Sequence, residues 1–186
     1  MFLSDTDIKK ALEEEKIVIK PFNEDQLQVV SYDVRLSNEF QVTDRHSIDA
    51  VDPSNKKYPK TRTLSVPDGE AFILHPGENV LGKQIEFIGC DLDHLILLSG
   101  KSSLARAGLV VHNTAMLFNP GHYFYPTFEL VNVSNVPVIL RPGMEIAQIL
   151  FARLTSTATK GYGETGRYDK ANSKHFIEKK ERPGPR

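Results

Sequence analysis

Val138-Ile139-Leu140-Arg141-Pro142-Gly143-Met144-Glu145-Ile146-Ala147-Gln148-Ile149-Leu150-Phe151 consists of two short apolar runs around a Pro-Gly pair. Proline presets φ at the second position of a type II turn and glycine accepts the positive φ of the third, so the stretch reads strand, tight turn, strand. The same phrase occurs 66 residues earlier, where Leu74-His75-Pro76-Gly77-Glu78 leads into Val80-Leu81. Two matching units point to pseudo-symmetric halves of a rolled sheet, although two unrelated Pro-Gly turns would leave the same letters.

Outward from this pair the period stays near two. Ile17 and Ile19 alternate with differently facing neighbours, and Tyr32, Val34 and Leu36 alternate with Ser31, Asp33 and Arg35 before Phe40 and Val42. Further short apolar runs are Ala71–Leu74, Ile85–Ile88, Leu95–Leu98, Leu109–Val111, Met116–Phe118 and Thr127–Val131, divided by Pro67-Asp68-Gly69 and Pro120-Gly121. Many short strands with such punctuation imply a mainly β sandwich, barrel or jelly roll. Ahead of them Ser4 to Asp7 resembles a capping box, and Ile8, Ala11 and Leu12 recur at helical spacing, which predicts one short N-terminal helix over about residues 5–15. Residues 44–66 are polar, with Pro53 and Pro59, and read as a surface loop excursion.

The 186 residues suit one domain, expected over 1–159, with a tail over 160–186. Apolar residues at 40% and charged residues at 25% are ordinary for a globular chain. The net charge of −1 gives no bulk positive field to hold a duplex, so nucleic acid is not an expected partner. Cys90 is the single cysteine, which excludes disulfides within the chain and Cys-rich zinc sites. No apolar run approaches the roughly 18 residues of a membrane span, and Met1 to Asp7 lacks the basic-then-apolar pattern of a signal peptide. A soluble, cytoplasmic protein without a membrane partner is the expectation. The tail carries eight Lys or Arg against four Asp or Glu, with Gly161, Gly163 and Gly166 loosening it. It is either a frayed end or a basic flap that orders over an anionic ligand.

Three places carry candidate chemistry. In Gly100-Lys101-Ser102-Ser103-Leu104-Ala105-Arg106-Ala107-Gly108, a serine at 102 or 103 would cap a helical turn that Gly108 ends. Free N–H groups there, with Lys101 and Arg106, would suit phosphate, but a plain capped turn has the same composition. Glu129 sits in the strand pattern Thr127-Phe128-Glu129-Leu130 and faces either a pocket, where a carboxylate can shuttle protons, or water. His112 lies in a strand, where a lone histidine is more often a hydrogen-bonded structural residue than a ligand. No His-x-Glu with a following Pro-Cys-x-x-Cys is present, so a zinc deaminase signature is missing.

The order of these pieces resembles the dCTP deaminase family, a branch of the trimeric dUTP diphosphatase fold. Leu3-Ser4-Asp5-Thr6-Asp7-Ile8, Ser31-Tyr32-Asp33-Val34-Arg35-Leu36 and Leu74-His75-Pro76-Gly77-Glu78 are similar to family segments. Lys101 to Leu109 matches the block [RK]-S-S-L-[AG]-R-x-G-L, His112-x-Thr114-Ala115 follows at family spacing, and Glu129 stands at the last position of T-L-E. Arg141-Pro142-Gly143-Met144 with Gln148 completes the last hairpin. The resemblance implies a distorted jelly roll of the dUTP diphosphatase type with a mobile C-terminal tail, assembled as a homotrimer whose sites form between subunits. It implies zinc-independent hydrolytic deamination of dCTP to dUTP and ammonia, with Mg²⁺ carried by the triphosphate. Glu129 resembles the general base, Ser102 the group that holds the water, and Arg106 the group that orients the site. Lys101, Ser103, Gln148 and Tyr162 would serve the phosphates, Asn119 the sugar, and Thr127 and Phe128 would line the substrate. Arg167 with Tyr168 would belong to a closing flap.

This chain departs from the family's D-P-G-[FW]-x-G, reading Asn119-Pro120-Gly121-His122-Tyr123-Phe124 instead. The tail also lacks the Gln of the family's Lys-Tyr-x-x-Gln, having Arg167-Tyr168-Asp169-Lys170-Ala171. The alternatives are a bifunctional enzyme forming dUMP, a dUTP diphosphatase, and a non-catalytic nucleotide-binding relative. Loss of the Asp at position 119 counts against the two phosphate-cleaving readings. Retention of Ser102, Arg106 and Glu129 together counts against the non-catalytic one.

Overall fold

A computed structural model describes residues 1–166. The elements are α1 (Asp5–Glu13), β1 (Ile17–Lys20), a 3-10 turn (Glu24–Gln26), β2 (Tyr32–Thr43), β3 (Thr61–Ser65), β4 (Phe72–Leu74), β5 (Asn79–Gln84), β6 (Phe87–Cys90) and β7 (His94–Gly100). They continue with α2 (Ser102–Arg106), β8 (Leu109–Val110), β9 (Leu117–Phe118), β10 (Tyr123–Phe124), β11 (Thr127–Asn132), β12 (Val138–Leu140), β13 (Glu145–Arg153) and α3 (Tyr162–Thr165). No helix among the described residues is long and apolar enough to cross a membrane.

Strand β2 organises the sheets. Its first residues, Tyr32 to Arg35, pair with Glu145 to Ile149 of β13, and its later residues pair with β3 on one side and β5 on the other. Register shifts between Leu36 and Phe40 and between Glu145 and Ala147 break the ladder, and such breaks bend a strand and raise its twist. The large sheet runs β8-β11-β5-β2-β13-β7-β9 with β3 beside β2, a second sheet runs β1-β6-β10, and β4 pairs with β12. The result is the expected mainly β, curled antiparallel architecture with a short N-terminal helix.

The two Pro-Gly units stand side by side. β4 and β12 pair in register, with Leu74 opposite Val138 and Phe72 opposite Leu140, while β5 and β13 both pair with β2. Gly77 and Gly143 have φ of 76° and 85°, and Glu78 and Met144 donate their N–H groups to His75 and Arg141 at 3.1 and 3.2 Å. Both turns therefore have the type II form, and the repeat is a feature of the architecture rather than a coincidence of letters.

The core follows the alternation. Tyr32, Val34, Leu36 and Phe40 from β2, Phe128 and Leu130 from β11, and Ile146, Ile149 and Phe151 from β13 are all fully buried. Each such side chain contributes about 1.5–3 kcal/mol of transfer free energy. Gly82 on β5 lies between two of these layers, where a Cβ would meet Leu130 Cδ1 at 2.7 Å and Leu36 Cδ1 at 2.9 Å. Glu86 is the one acidic residue wholly inside, at 0% exposure, among the described residues. Its carboxylate accepts from Arg35 Nε at 2.6 Å, the Arg35 N–H at 2.9 Å and Gln26 Nε2 at 3.3 Å, which compensates burial of the charge.

Two expectations shift in detail, and one strand was not expected. Helix α1 ends at Glu13, before the expected residue 15, because Glu15 takes a left-handed φ of 55°. The Lys16 and Glu15 N–H groups then reach back to Ala11 and Leu12, a Schellman closure. The polar excursion is shorter than expected, since Thr61 to Ser65 forms β3 along Glu39 to Thr43. Tyr123 and Phe124 form a strand, β10, against Gly89 and Ile88.

Candidate active site

The Lys101–Gly108 block leaves β7 and turns at once into α2. Its cap differs from the expectation. Lys101, not a serine, is the N-cap residue, extended at φ −86° and ψ 130°, with no side-chain cap bond. Its carbonyl accepts from Leu104 at 3.0 Å and Ala105 at 2.9 Å, so Ser102 and Ser103 lie inside the first turn. Both serine side chains and Arg106 are exposed and make no hydrogen bond or ion pair among the described residues. Gly108 ends the turn at φ 85°, where a Cβ would come within 2.5 Å of Ser134 Cβ.

Ser134 is held in turn by Asn132, which the sequence reading missed. Asn132 is fully buried on β11. Its amide donates to the Leu74 and Val136 carbonyls at 2.9 and 2.8 Å and accepts from the Ser134 N–H and Oγ at 2.9 and 2.7 Å. One residue thus ties the α2 return to the β4 edge of the first Pro-Gly unit. Its only trace in the sequence is a polar residue in an inward-facing register.

Lys101 is not free. Its ammonium donates to Asp33 Oδ2 at 2.6 Å and Glu145 Oε2 at 2.8 Å. These contacts hold its pKa above the ordinary lysine value against the opposing effect of burial, the largest single influence. Gln28 Nε2 donates to the same Asp33 oxygen at 3.3 Å. Gln148, opposite Asp33 on β13, spends its amide internally: it accepts from Ser31 Oγ at 3.0 Å and donates to the Gly100 carbonyl at 3.2 Å.

Glu129 faces outward from β11 between buried Phe128 and Leu130 and is itself partly buried. Its Oε2 accepts the Asn113 N–H at 2.8 Å. Its Oε1 makes no hydrogen bond among the described residues. His112, one residue back from Asn113, lies beyond the end of β8 at Val110 rather than in a strand as expected, and its buried Nδ1 has no hydrogen-bond partner. Thr127 is exposed at the start of the strand, whereas Phe128, expected to line the substrate, is 0% exposed, backbone included, and belongs to the core.

Asn119 is exposed in the β9–β10 connection. The Gly121 N–H anchors this turn by bonding the Cys90 and Asp91 carbonyls at 3.0 and 3.2 Å. The His122 ring stacks on Phe124 at 3.6 Å and on Tyr162 at 3.8 Å, and the Tyr162 N–H reaches the Pro120 carbonyl at 2.8 Å. The chain around Tyr162 therefore lies against the body of the protein. Arg167 and Tyr168 lie outside the described residues. Within one chain no hydrogen bond or ion pair joins the Lys101 group to the Glu129 group among the described residues.

The whole arrangement falls in one family. The dCTP deaminase-like family profile matches residues 2–154, and the chain belongs to that family. A protein of Tropheryma whipplei (strain Twist) named dCTP deaminase, dUMP-forming, is 43% identical over 163 residues, covering 88% of this chain and 83% of its own. One of the same name from Pseudarthrobacter chlorophenolicus is 42% identical over 164 residues, covering 88% and 86%. The 2′-deoxycytidine 5′-triphosphate deaminase of Agrobacterium tumefaciens superposes with a TM-score of 0.64 at 17% identity. That superposition covers 82% of this chain and about half, 48%, of the longer one.

Proposed function

We propose that this chain deaminates the cytosine ring of dCTP by hydrolysis, releasing ammonia, and carries the product on to dUMP. The observation that supports it most is Glu129, fixed through one oxygen by the Asn113 N–H and with the other oxygen unengaged among the described residues. Water is a poor nucleophile towards C4 of cytosine, and a fixed carboxylate with an open oxygen is suited to take its proton. In this reading water adds to C4 as Glu129 takes the proton. That proton passes to N3; a second proton, from the hydroxyl now on C4, is relayed through Glu129 to the amino group, and ammonia leaves as the C4 carbonyl forms. Ser102 holds the water and Arg106 orients the ring and stabilises developing charge. Lys101, Ser103, Gln148 and Tyr162 serve the phosphates, with Mg²⁺ arriving as part of the substrate. Asn119 meets the sugar, and Thr127 lies along the base.

Membership of the dCTP deaminase-like family supports a homotrimer whose sites form between subunits. The shared dUMP-forming name of the 42–43% identical relatives favours onward cleavage to dUMP. Asn119 favours the second reading, release of dUTP, because it lacks the carboxylate suited to orient a water at phosphorus. A nucleotide substrate supports a cytoplasmic setting for the reaction.

The test incubates the protein with dCTP, CTP or dUTP plus magnesium and separates the products. Ammonia with dUMP and diphosphate from dCTP is the expected result. Ammonia with dUTP alone selects the second reading, and no ammonia from any substrate overturns deamination.

A further inference from the structure

Lys101 stands where the block would offer an ammonium to phosphate, yet that ammonium already has two carboxylate partners. The two differ in kind. Asp33 is buried, its side chain 6% exposed, and Gln28 also binds it. Glu145 is 41% exposed and makes no other hydrogen bond or ion pair among the described residues. The same difference appears at the neighbouring cation. Arg35 on β2 is held through Nε by wholly buried Glu86, while Glu145, its register partner on β13, bonds Lys101 instead. Each cation of this face therefore has its own buried counter-charge, and Glu145 is an additional, solvent-side anion. It also sits at the register shift between Glu145 and Ala147, where the strand is least tied to β2.

We propose that Glu145 is a stand-in for the substrate's phosphate: the incoming anion displaces it from Lys101, while Asp33 keeps the ammonium in place. The inference rests on the deaminase reading for the identity of the ligand. It concerns the polyphosphate end alone and needs no chemical step. An exposed ion pair is weak, and a phosphate group offers the ammonium stronger charge-assisted bonds than one carboxylate, so exchange is favourable. Glu145 and the phosphate also repel each other, so Glu145 must swing away into solvent as the anion arrives. Asp33, buried and doubly bonded, has no such freedom. It acts as a positioning residue through Lys101.

Calorimetric titration of wild type, Glu145→Gln and Asp33→Asn tests this with three probes: dCTP, inorganic tripolyphosphate and deoxycytidine. Removing one exposed competing contact predicts roughly 2- to 5-fold tighter binding of dCTP and tripolyphosphate by Glu145→Gln. Deoxycytidine, without phosphate, should bind that variant no better than wild type, which a general loosening of the structure would not reproduce. The advantage over wild type should shrink in high salt, where exposed pairs are screened. Asp33→Asn should weaken the two phosphate-bearing probes. Equal or weaker phosphate binding by Glu145→Gln overturns the proposal, as does an equal gain for deoxycytidine. Wild type that binds tripolyphosphate but not dCTP refutes the deaminase reading and leaves the displacement judged on tripolyphosphate. Wild type that binds neither refutes both.

Discussion

Replacing Glu129 by Gln separates proton transfer from architecture. The carboxylate makes one visible structural contact, in which Oε2 accepts the Asn113 N–H at 2.8 Å. The amide oxygen of Gln can accept the same bond, so the loss is the difference between a charged and a neutral acceptor, about 1 kcal/mol. A domain with about 5–15 kcal/mol of stability stays folded after that change. Chemistry loses far more. An amide cannot take the proton of the attacking water, and acid–base help of this kind is typically worth about 10²–10⁴ in rate, or about 3–5 kcal/mol of barrier. The assay pairs ammonia release with calorimetric titration by dCTP and a thermal melt. Deamination should fall at least a hundredfold while nucleotide binding persists, because Lys101, Ser102, Ser103 and Arg106 are untouched. Glu129→Ala should melt slightly lower than Glu129→Gln, because water replaces the acceptor of the exposed Asn113 N–H at a net cost of about 0.5–1.5 kcal/mol. Activity within tenfold of wild type in Glu129→Gln would refute the base. Joint loss of folding and binding would make Glu129 structural.

Asn119→Asp should sharpen the preference for dCTP over CTP and raise diphosphate release from dUTP, both read from product analysis. If neither moves, this loop does not meet the sugar. Cutting the chain after Thr159 removes the Tyr162 ring from His122, worth about 0.5–1.5 kcal/mol. The melting temperature should drop by a few degrees, and turnover and nucleotide affinity should both fall as the site loses cover. Unchanged kinetics would make the segment a bystander. Burial above all, with the Asp91 charge next, pushes the Cys90 thiol up to about 12, so at pH 8 it is protonated and shielded. A thiol reagent should label the native protein negligibly and the denatured protein at once, and rapid native labelling would refute the burial.

Much of the fold was legible because its signals are local. Pro76-Gly77 and Pro142-Gly143 dictate their turns from two residues each, and the Ser4–Asp7 box closes within one helical turn. What escaped reading depends on distant partners. Thr61 to Ser65 is polar and mostly exposed, so only its pairing with β2 makes it a strand. Glu86 looks like a surface charge until Arg35, 51 residues away, accounts for its burial. The site divides in the same way. The Lys101–Gly108 turn is a local object, visible in its own letters. The carboxylates that hold its lysine come from 68 and 44 residues away, and nothing in the local spacing announces them.

Two of the departures at 119–124 gain a common explanation from contacts rather than from letters. His122 replaces a large apolar ring, but its imidazole lies within 2° of parallel to Phe124 and packs on Tyr162 from the other side. Phe124, in place of a glycine, fills the next layer and meets Phe118 edge-on at 4.9 Å. These two changes form one stack, each supplying the flat surface that the other needs, and the stack holds the Tyr162 ring. Asn119 is different. Its exposed side chain makes no hydrogen bond among the described residues, so no neighbouring change accounts for it. In the proposed reading this position meets the sugar. Differences in sugar preference and product from the dUMP-forming relatives should therefore follow position 119, while His122 and Phe124 should answer to stability and to the placement of Tyr162.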